Sequence, residues 1–295
     1  MWATKITESE VLPPGAMAAP AEPWVQFGIQ APPERRGDLY RNLDTLARQA
    51  IGTGLAHDFF YMHKHPGLRI RFRADEGGVG RLNLLLREHL HDWQREGLVG
   101  EWRPGMYEPE TYLFGGPASM RSVHRVFTAD SLAWLGFHHR NLATGNGREG
   151  RPGPAWAMSL LMLQTLFEAL RIVDWEDLDV WDRVRRFRSL APAAVEDPRL
   201  AQLGTVLRGA WPSRSALAAK VSPEAAELAE EYRAAVLDEG KRWIREYFES
   251  GSAGMGPRAV ASYMVIFHWN RAGLPAVRQA LITHALLVRA AGDAR

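Results

Sequence analysis

Three stretches of the sequence carry residues whose types and spacing suit proton transfer or the holding of a polar ligand. The first, Tyr107 to Ser131, reads YEPETYLFGGPASMRSVHRVFTADS and places Tyr107, Glu110, His124 and Asp130 around a Gly115-Gly116-Pro117 break. A strand, a glycine turn and a helix carrying a histidine and an aspartate make an edge suited to a site, and the bland alternative is plain scaffold. The second is Leu68-Arg69-Ile70-Arg71-Phe72-Arg73, whose alternation sets Arg69, Arg71 and Arg73 on one face of a strand. Such a row is either a solvated edge that resists aggregation or a clamp for carboxylates and amides, which guanidinium forks pre-organise. The third runs from Ala261 to Arg271 and is almost wholly apolar until His268-Trp269-Asn270-Arg271. His268 and Arg271 are three apart and so share a helix face. A semi-buried histidine beside a positive charge is held neutral near pH 7, the state a general base requires; the bland alternative is a hydrogen-bonded core residue. Ser262 and Trp269, seven apart, share another face of the same helix.

The elements that must position these groups can be read from periodicity and breakers. Residues 1–23, with Pro13-Pro14, Gly15 and Pro20, form a loose segment without its own core. Trp24 to Gln30 alternates as a strand and stops at Pro32-Pro33. Asp38 caps a helix with the apolar face Leu39, Leu43, Leu46 and Ile51, ended by Gly52 and Gly54. A hairpin follows, Asp58–Met62 and Leu68–Phe72 around Lys64-His65-Pro66-Gly67. Leu82, Leu85, Leu86 and Leu90 stripe a second helix, on which His89 and His91, two apart, point to different sides and cannot share a metal. Pro109 bars a helix and pushes Glu108 into an extended form, so Tyr107–Phe114 reads as a strand entering the glycine turn. A helix then carries Met120, Val123, Val126 and Phe127 on its core side.

Beyond Ala129 the pattern is helical. A separate helix spans Ser131–Leu142, Gly145–Pro154 is a loop suited to a lid or boundary, and Trp156–Ile172 is apolar nearly all round and therefore buried. Arg183, Arg185, Arg186 and Arg188 cluster as a solvated face or as a dock for an acidic peptide. Ser222-Pro223 is an N-cap and first-turn pair for a helix running toward Phe248, and Pro257 starts the last informative helix, through Gly273. These elements make an α+β fold. A small mixed or antiparallel sheet with helices occupies residues 24–128 on a split-βαβ, ferredoxin-like plan, and a mainly helical subregion fills 129–295 of one catalytic domain.

Composition bounds what such a chain does. It has 295 residues, 46% hydrophobic and 24% charged, with a net charge of +2, which gives no electrostatic footprint for nucleic acid or membrane. The absence of cysteine removes disulfides, thiolate metal sites and a cysteine nucleophile. No cofactor motif and no metal-ligand set is present, and no apolar run reaches the length of a membrane span; the expectation is a cytoplasmic protein without cofactor. Eleven tryptophans supply core and, in part, walls suited to an unsaturated or peptidic ligand.

Tyr-Glu-Pro-Glu-Thr, the Phe-Gly-Gly break, His124 and the Ala129-Asp130-Ser131 ending resemble the thiopeptide-type bacteriocin biosynthesis proteins, relatives of the glutamate-elimination domain of lantibiotic dehydratases, from about Trp24 to Leu274. In elimination domains a His-Leu-Arg-x-Arg-Phe tract contributes an arginine to the site. Here Arg69 and Arg71 are kept and Gly67 replaces the histidine. Their central tract, Arg-Glu-x-x-Arg-Tyr-Gly-Gly, reads here Pro109-Glu110-Thr111-Tyr112-Leu113-Phe114-Gly115-Gly116, so both arginines that would anchor a glutamyl carboxylate are missing. His268-Trp269-Asn270-Arg271 is similar to their terminal His followed by Asn-Arg. The resemblance implies a stand-alone pyridine synthase joining two dehydroalanines of a dehydrated, azole-containing precursor peptide by formal [4+2] aza-cycloaddition, with loss of water and leader. Glutamate elimination and a non-catalytic peptide scaffold are the alternatives. In that scheme His268 is the acid/base and Ser262 or Tyr107 hydrogen-bonds the reacting amide. Arg69, Arg71, Trp269, Asn270 and Arg271 contact the peptide, while Glu110, His124 and Asp130 support them.

Overall fold

The computed structural model describes residues 23–64, 67–143 and 153–287. Four strands, β1 (Trp24–Ile29), β2 (Asp58–Lys64), β3 (Gly67–Arg73) and β4 (Trp102–Gly105), form an antiparallel sheet in the order β2-β3-β1-β4. With helices α1 (Arg36–Gly52) and α2 (Val79–Arg95) inserted after β1 and β3, this is the ferredoxin-like plan expected. Asp38 does not cap α1; the helix begins two residues earlier, and Arg35 and Arg41 hold the Asp38 carboxylate in its first turn.

Strand alternation gives the sheet two unlike faces. Val25, Phe27, Ile29, Phe59, Tyr61, Leu68, Ile70 and Phe72 are buried on the side of α1 and α2. The paired residues Trp24–Arg73, Gln26–Arg71, Phe60–Arg71 and Met62–Arg69 point the other way. Because β3 is an inner strand, its arginines are no solvated edge. Arg71 is only 7% exposed, and Arg73 bonds the buried Asp58 carboxylate at 2.5 Å.

Residues Tyr107–Glu110 form no strand. The last strand lies earlier, at β4, where it finds the free side of β1, and Thr111–Phe114 closes a 3-10 turn before α3 (Pro117–Ala143). The two helices expected on either side of residue 128 are one: α3 runs unbroken through Asp130 and Ser131. It lies along the edge strand β2, where Thr128 Oγ1 and Ser131 Oγ accept the outward N–H groups of Phe59 (3.0 Å) and Tyr61 (3.3 Å). The edge is thereby satisfied by side chains of a helix instead of another strand.

The remaining helices are α4 (Ala155–Ala169), α5 (Glu176–Phe187), α6 (Pro192–Val195), α7 (Pro198–Ala210), α8 (Arg214–Ala218), α9 (Pro223–Trp243), α10 (Pro257–Arg271) and α11 (Ala276–Leu287). α4 is buried nearly all round, as its apolar sequence requires, against α9. Ser222 caps α9, its hydroxyl accepting from Ala225 N–H at 3.2 Å. The arginine cluster of α5 is solvated: Arg183 pairs with Asp179, Arg185 and Arg186 with Asp182, and Arg188 with Gln279. The Gly145–Pro154 loop and the first 22 residues lie outside the described residues or at their margin.

Candidate functional site

Most of the residues expected to form one site fall into two groups separated by a layer of aromatic rings, with Ser262 and Asn270 outside both. The first sits on the arginine face of the sheet. Arg71 donates from Nε to Gln26 Oε1 at 2.7 Å, and its guanidinium lies over the rings of Phe60 (4.9 Å) and Tyr107 (4.7 Å). The Tyr107 hydroxyl and His124 Nε2, 2.8 Å apart, share a hydrogen bond. Trp24 packs edge-on to Tyr107 and against His124, with ring centroids at 4.9 and 4.5 Å. Burial pulls the His124 imidazole down to about 3, with Arg73 and then Arg71 adding to it, so the ring is neutral at pH 7. Burial likewise lowers Arg71, opposed by Tyr107 and the Glu110 carboxylate; a guanidinium nevertheless stays charged.

The segment carrying Tyr107 and Glu110 is irregular, and tertiary contacts hold it. Gln26 Nε2 donates to Met106 O at 3.0 Å, so the amide that orients Arg71 also pins the start of the segment. At its other end Gly115 (φ +86°) and Gly116 (φ +103°) turn the chain into α3. A side chain at Gly115 would collide with the Tyr247 hydroxyl, which a π-helical turn, Ile244–Phe248, delivers there. Beside the cluster a cleft of about 390 Å³ opens over β1, β3 and β4, floored by Gln26, Gly28 and Arg69 and rimmed by Arg103, Gly105 and Met106. Its cations, amide and phenol neighbours suit a peptide backbone, and its aromatic border suits flat unsaturated groups.

The second group is closed to solvent. Asp130 on α3 receives Arg271 Nε on one oxygen and His268 Nδ1, at 2.6 Å, on the other. His268 is 2% exposed, its Nε2 is 2.9 Å from Ser159 Oγ on α4, and Trp269 Nε1 donates to the same hydroxyl at 3.0 Å. Burial works to raise the Asp130 carboxyl, but His268 and Arg271 overcome it and hold it below the usual carboxylate range. The expectation of a semi-buried histidine beside a positive charge is therefore corrected toward its alternative, a hydrogen-bonded core residue. A carboxylate lies between the two, and the histidine is wholly buried, with both ring nitrogens occupied. Ser262 stands apart from both groups, donating to Ala259 O at 2.7 Å within its own helix. Asn270 accepts from Gln279 at 3.3 Å and faces a different cleft from Arg69.

The groups communicate through packing. Arg271 lies 4.1 Å over the Phe127 ring and donates to Met62 Sδ at 3.6 Å, and Phe127 packs on Phe60, which underlies Arg71. Of the expected residues, Tyr107, Arg71, His124, Glu110 and Arg69 are brought to the sheet face. His268, Asp130, Arg271 and Trp269 form the buried network. Sequence reading missed Trp24, Gln26, Phe60, Ser159 and Tyr247. Gln26 and Ser159 carried a signal, each a polar residue inside an apolar element.

The family model described as lantibiotic biosynthesis dehydratase C-term matches residues 24–291. The chain belongs to this family. Membership places it among proteins of lantibiotic-type peptide biosynthesis. In fold it is similar to the tRNA dependent lantibiotic dehydratase MibB from Microbispora sp. 107891, at 20% identity and a TM-score of 0.62 over 91% of this chain and 28% of MibB. It therefore spans just over a quarter of that protein. It is also similar to TsrL, at 17% identity and a TM-score of 0.50, over 89% of this chain and 92% of TsrL. No curated protein matches it in sequence. Among the described residues no helix is long and apolar enough to cross a membrane.

Proposed function

We propose that this member of the lantibiotic biosynthesis dehydratase C-terminal family is a thiopeptide pyridine synthase. It joins two dehydroalanines of a ribosomally made precursor peptide by formal [4+2] aza-cycloaddition. Water, carrying the oxygen of the reacting amide, and the leader peptide then leave, and the ring becomes aromatic. The observation that carries this reading is the pair Pro109 and Leu113, apolar at the positions where the resembling elimination tract has arginines, beside a Tyr107–His124–Arg71 cluster that retains donors for an amide.

The cluster supplies what the reaction needs. Folding a flexible peptide so that two alkenes meet is mainly an entropic task, and the cleft floored by Arg69 and Gln26 holds backbone for it. The Tyr107 hydroxyl donates to the oxygen of the reacting amide and stabilises its iminol form, with the neutral His124 ring hydrogen-bonded behind it to orient the phenol. Arg71, fixed by Gln26 and by two rings, adds positive charge beside that oxygen. His268, buried, acts by holding Asp130 and so the packing of α3 against α10.

The test is mass spectrometry of a dehydrated, azole-bearing precursor incubated with the protein alone. Loss of water with release of intact leader is expected. Dehydroalanine formation from a glutamylated peptide instead moves the assignment to glutamate elimination, and no change with either substrate leaves a peptide-binding scaffold.

A further inference from the structure

On the side of the sheet opposite Arg71, two clefts of about 310 and 430 Å³ lie side by side and share Arg36, Tyr40 and His63 as a common wall. Lys64, at the strand end where it also borders the cleft over β1, β3 and β4, completes the first, and His138 and Asn270 help to complete the second. Among the described residues no Asp or Glu lines either cleft, and neither Arg36 nor Lys64 has an ion pair. That contrasts with α5, where three arginines each meet a carboxylate of their own helix.

The Tyr40 phenol adds a donor to the wall, while the His138 ring is already hydrogen-bonded to the Arg271 carbonyl at 3.3 Å. Burial, opposed by Arg36, pushes the Tyr40 phenol up to about 12, so it keeps its proton. Burial, reinforced by Arg36 and opposed by the Arg271 carbonyl, draws His63 down to about 4, and burial, reinforced by His63 and opposed by the same carbonyl, does the same to His138. Each ring is then neutral at pH 7 and carries one N–H. His63 Nε2 is buried with no hydrogen-bond partner among the described residues and so has a hydrogen bond to spare toward the cleft, for water or for a ligand.

We propose that this double cleft is a binding site for a small anion, a carboxylate or phosphate group, held by Arg36 and Lys64 and hydrogen-bonded by Tyr40 and the His63 ring. The site is independent of the proposed cycloaddition and stands or falls without it. A free small anion and the carboxylate of a bound peptide share this chemistry.

The full chain, titrated at pH 6 and constant ionic strength with inorganic phosphate and with acetate against a chloride control, should show saturable shifts of the His63 and His138 ring resonances. The Arg36→Gln/Lys64→Gln double variant, both positions being exposed, should weaken binding at least tenfold, whereas Lys241→Gln should not change it. A short peptide with a free C-terminal carboxylate binding more tightly than its C-terminal amide would assign the site to a peptide carboxylate. Equal binding of acid and amide, with phosphate retained, would assign it to a free anion. Absence of saturable shifts, or shifts that persist unchanged in the double variant, would overturn the proposal.

Discussion

The buried network around Asp130 and the cluster around Tyr107 use the same kinds of residue, a histidine, an arginine and aromatic rings, to opposite ends. Around Asp130 the ionic groups pair with one another: Arg271 and His268 divide the carboxylate, and Ser159 takes the far side of the imidazole. Around Tyr107 the charges are left incompletely paired, since Arg71 has an amide and two rings where Arg271 has a carboxylate, and a cleft opens beside it. Burying a charge is costly unless it is paired, so the first arrangement is built for cohesion. A buried cation hydrogen-bonded to an amide and stacked on two rings, with a carboxylate acting on it without an ion pair, keeps capacity for a ligand in the cleft beside it.

The comparison is tested most severely by Asp130→Ala. Leaving Arg271 buried without its carboxylate should cost about 3–5 kcal/mol in urea or thermal unfolding, with part of that loss recovered when Arg271→Met is added. In the other region, Tyr107→Phe should lower pyridine formation about 100-fold while the unfolding free energy changes by less than about 1 kcal/mol. If His268→Gln lowers turnover as much with stability unchanged, the division between a cohesive and a reactive region is wrong. Gly115→Ala, which forces a side chain into a left-handed turn against the Tyr247 hydroxyl, should destabilise by about 2 kcal/mol and impair turnover through the displaced Tyr107 segment.

The pH dependence follows from the buried histidines. His124, His63 and His138 have folded values near 3, 4 and 4, below an unfolded value of about 6.5, so the unfolded chain binds more protons between those limits. Their neutral burial is compatible with full stability above pH 6.5, and stability should fall as the pH drops toward 4, by up to about 1.4 kcal/mol per pH unit for each group. Asp130, held low, adds its loss only below the ordinary carboxylate range. Urea midpoints measured at pH 7, 5.5 and 4.5, with His124→Gln flattening the upper part of the curve, check this. The smallest effect belongs to Ser262→Ala, whose hydroxyl serves only its own helix: under about 1 kcal/mol, with product formation unchanged.

Much of the frame was legible in the sequence because it rests on short-range signals. The alternation of β1 and β3, the hairpin between β2 and β3, the cap at Ser222 and the apolar circumference of α4 all appear as read. The errors lie where a partner distant in sequence decides. Tyr107–Phe114 has the composition of a strand, yet β1 offers its free edge to Trp102–Gly105. The break expected near residue 128 is absent because Thr128 and Ser131, poor helix formers in isolation, are rewarded inside α3 by bonds to the edge of β2.

The sequence by itself determined the α+β class, the alternation of strands and helices of a ferredoxin-like plan and the residues able to do chemistry, since propensity and periodicity act within a few residues. Only the tertiary structure decided which of those residues meet. Asp130, taken as a support, became the centre of the buried ionic network, because its partners are 138 and 141 residues away. Tyr107 came to rest on Arg71 and His124 because strand pairing and a long helix edge set their separation, and neither is written in the residues alongside them.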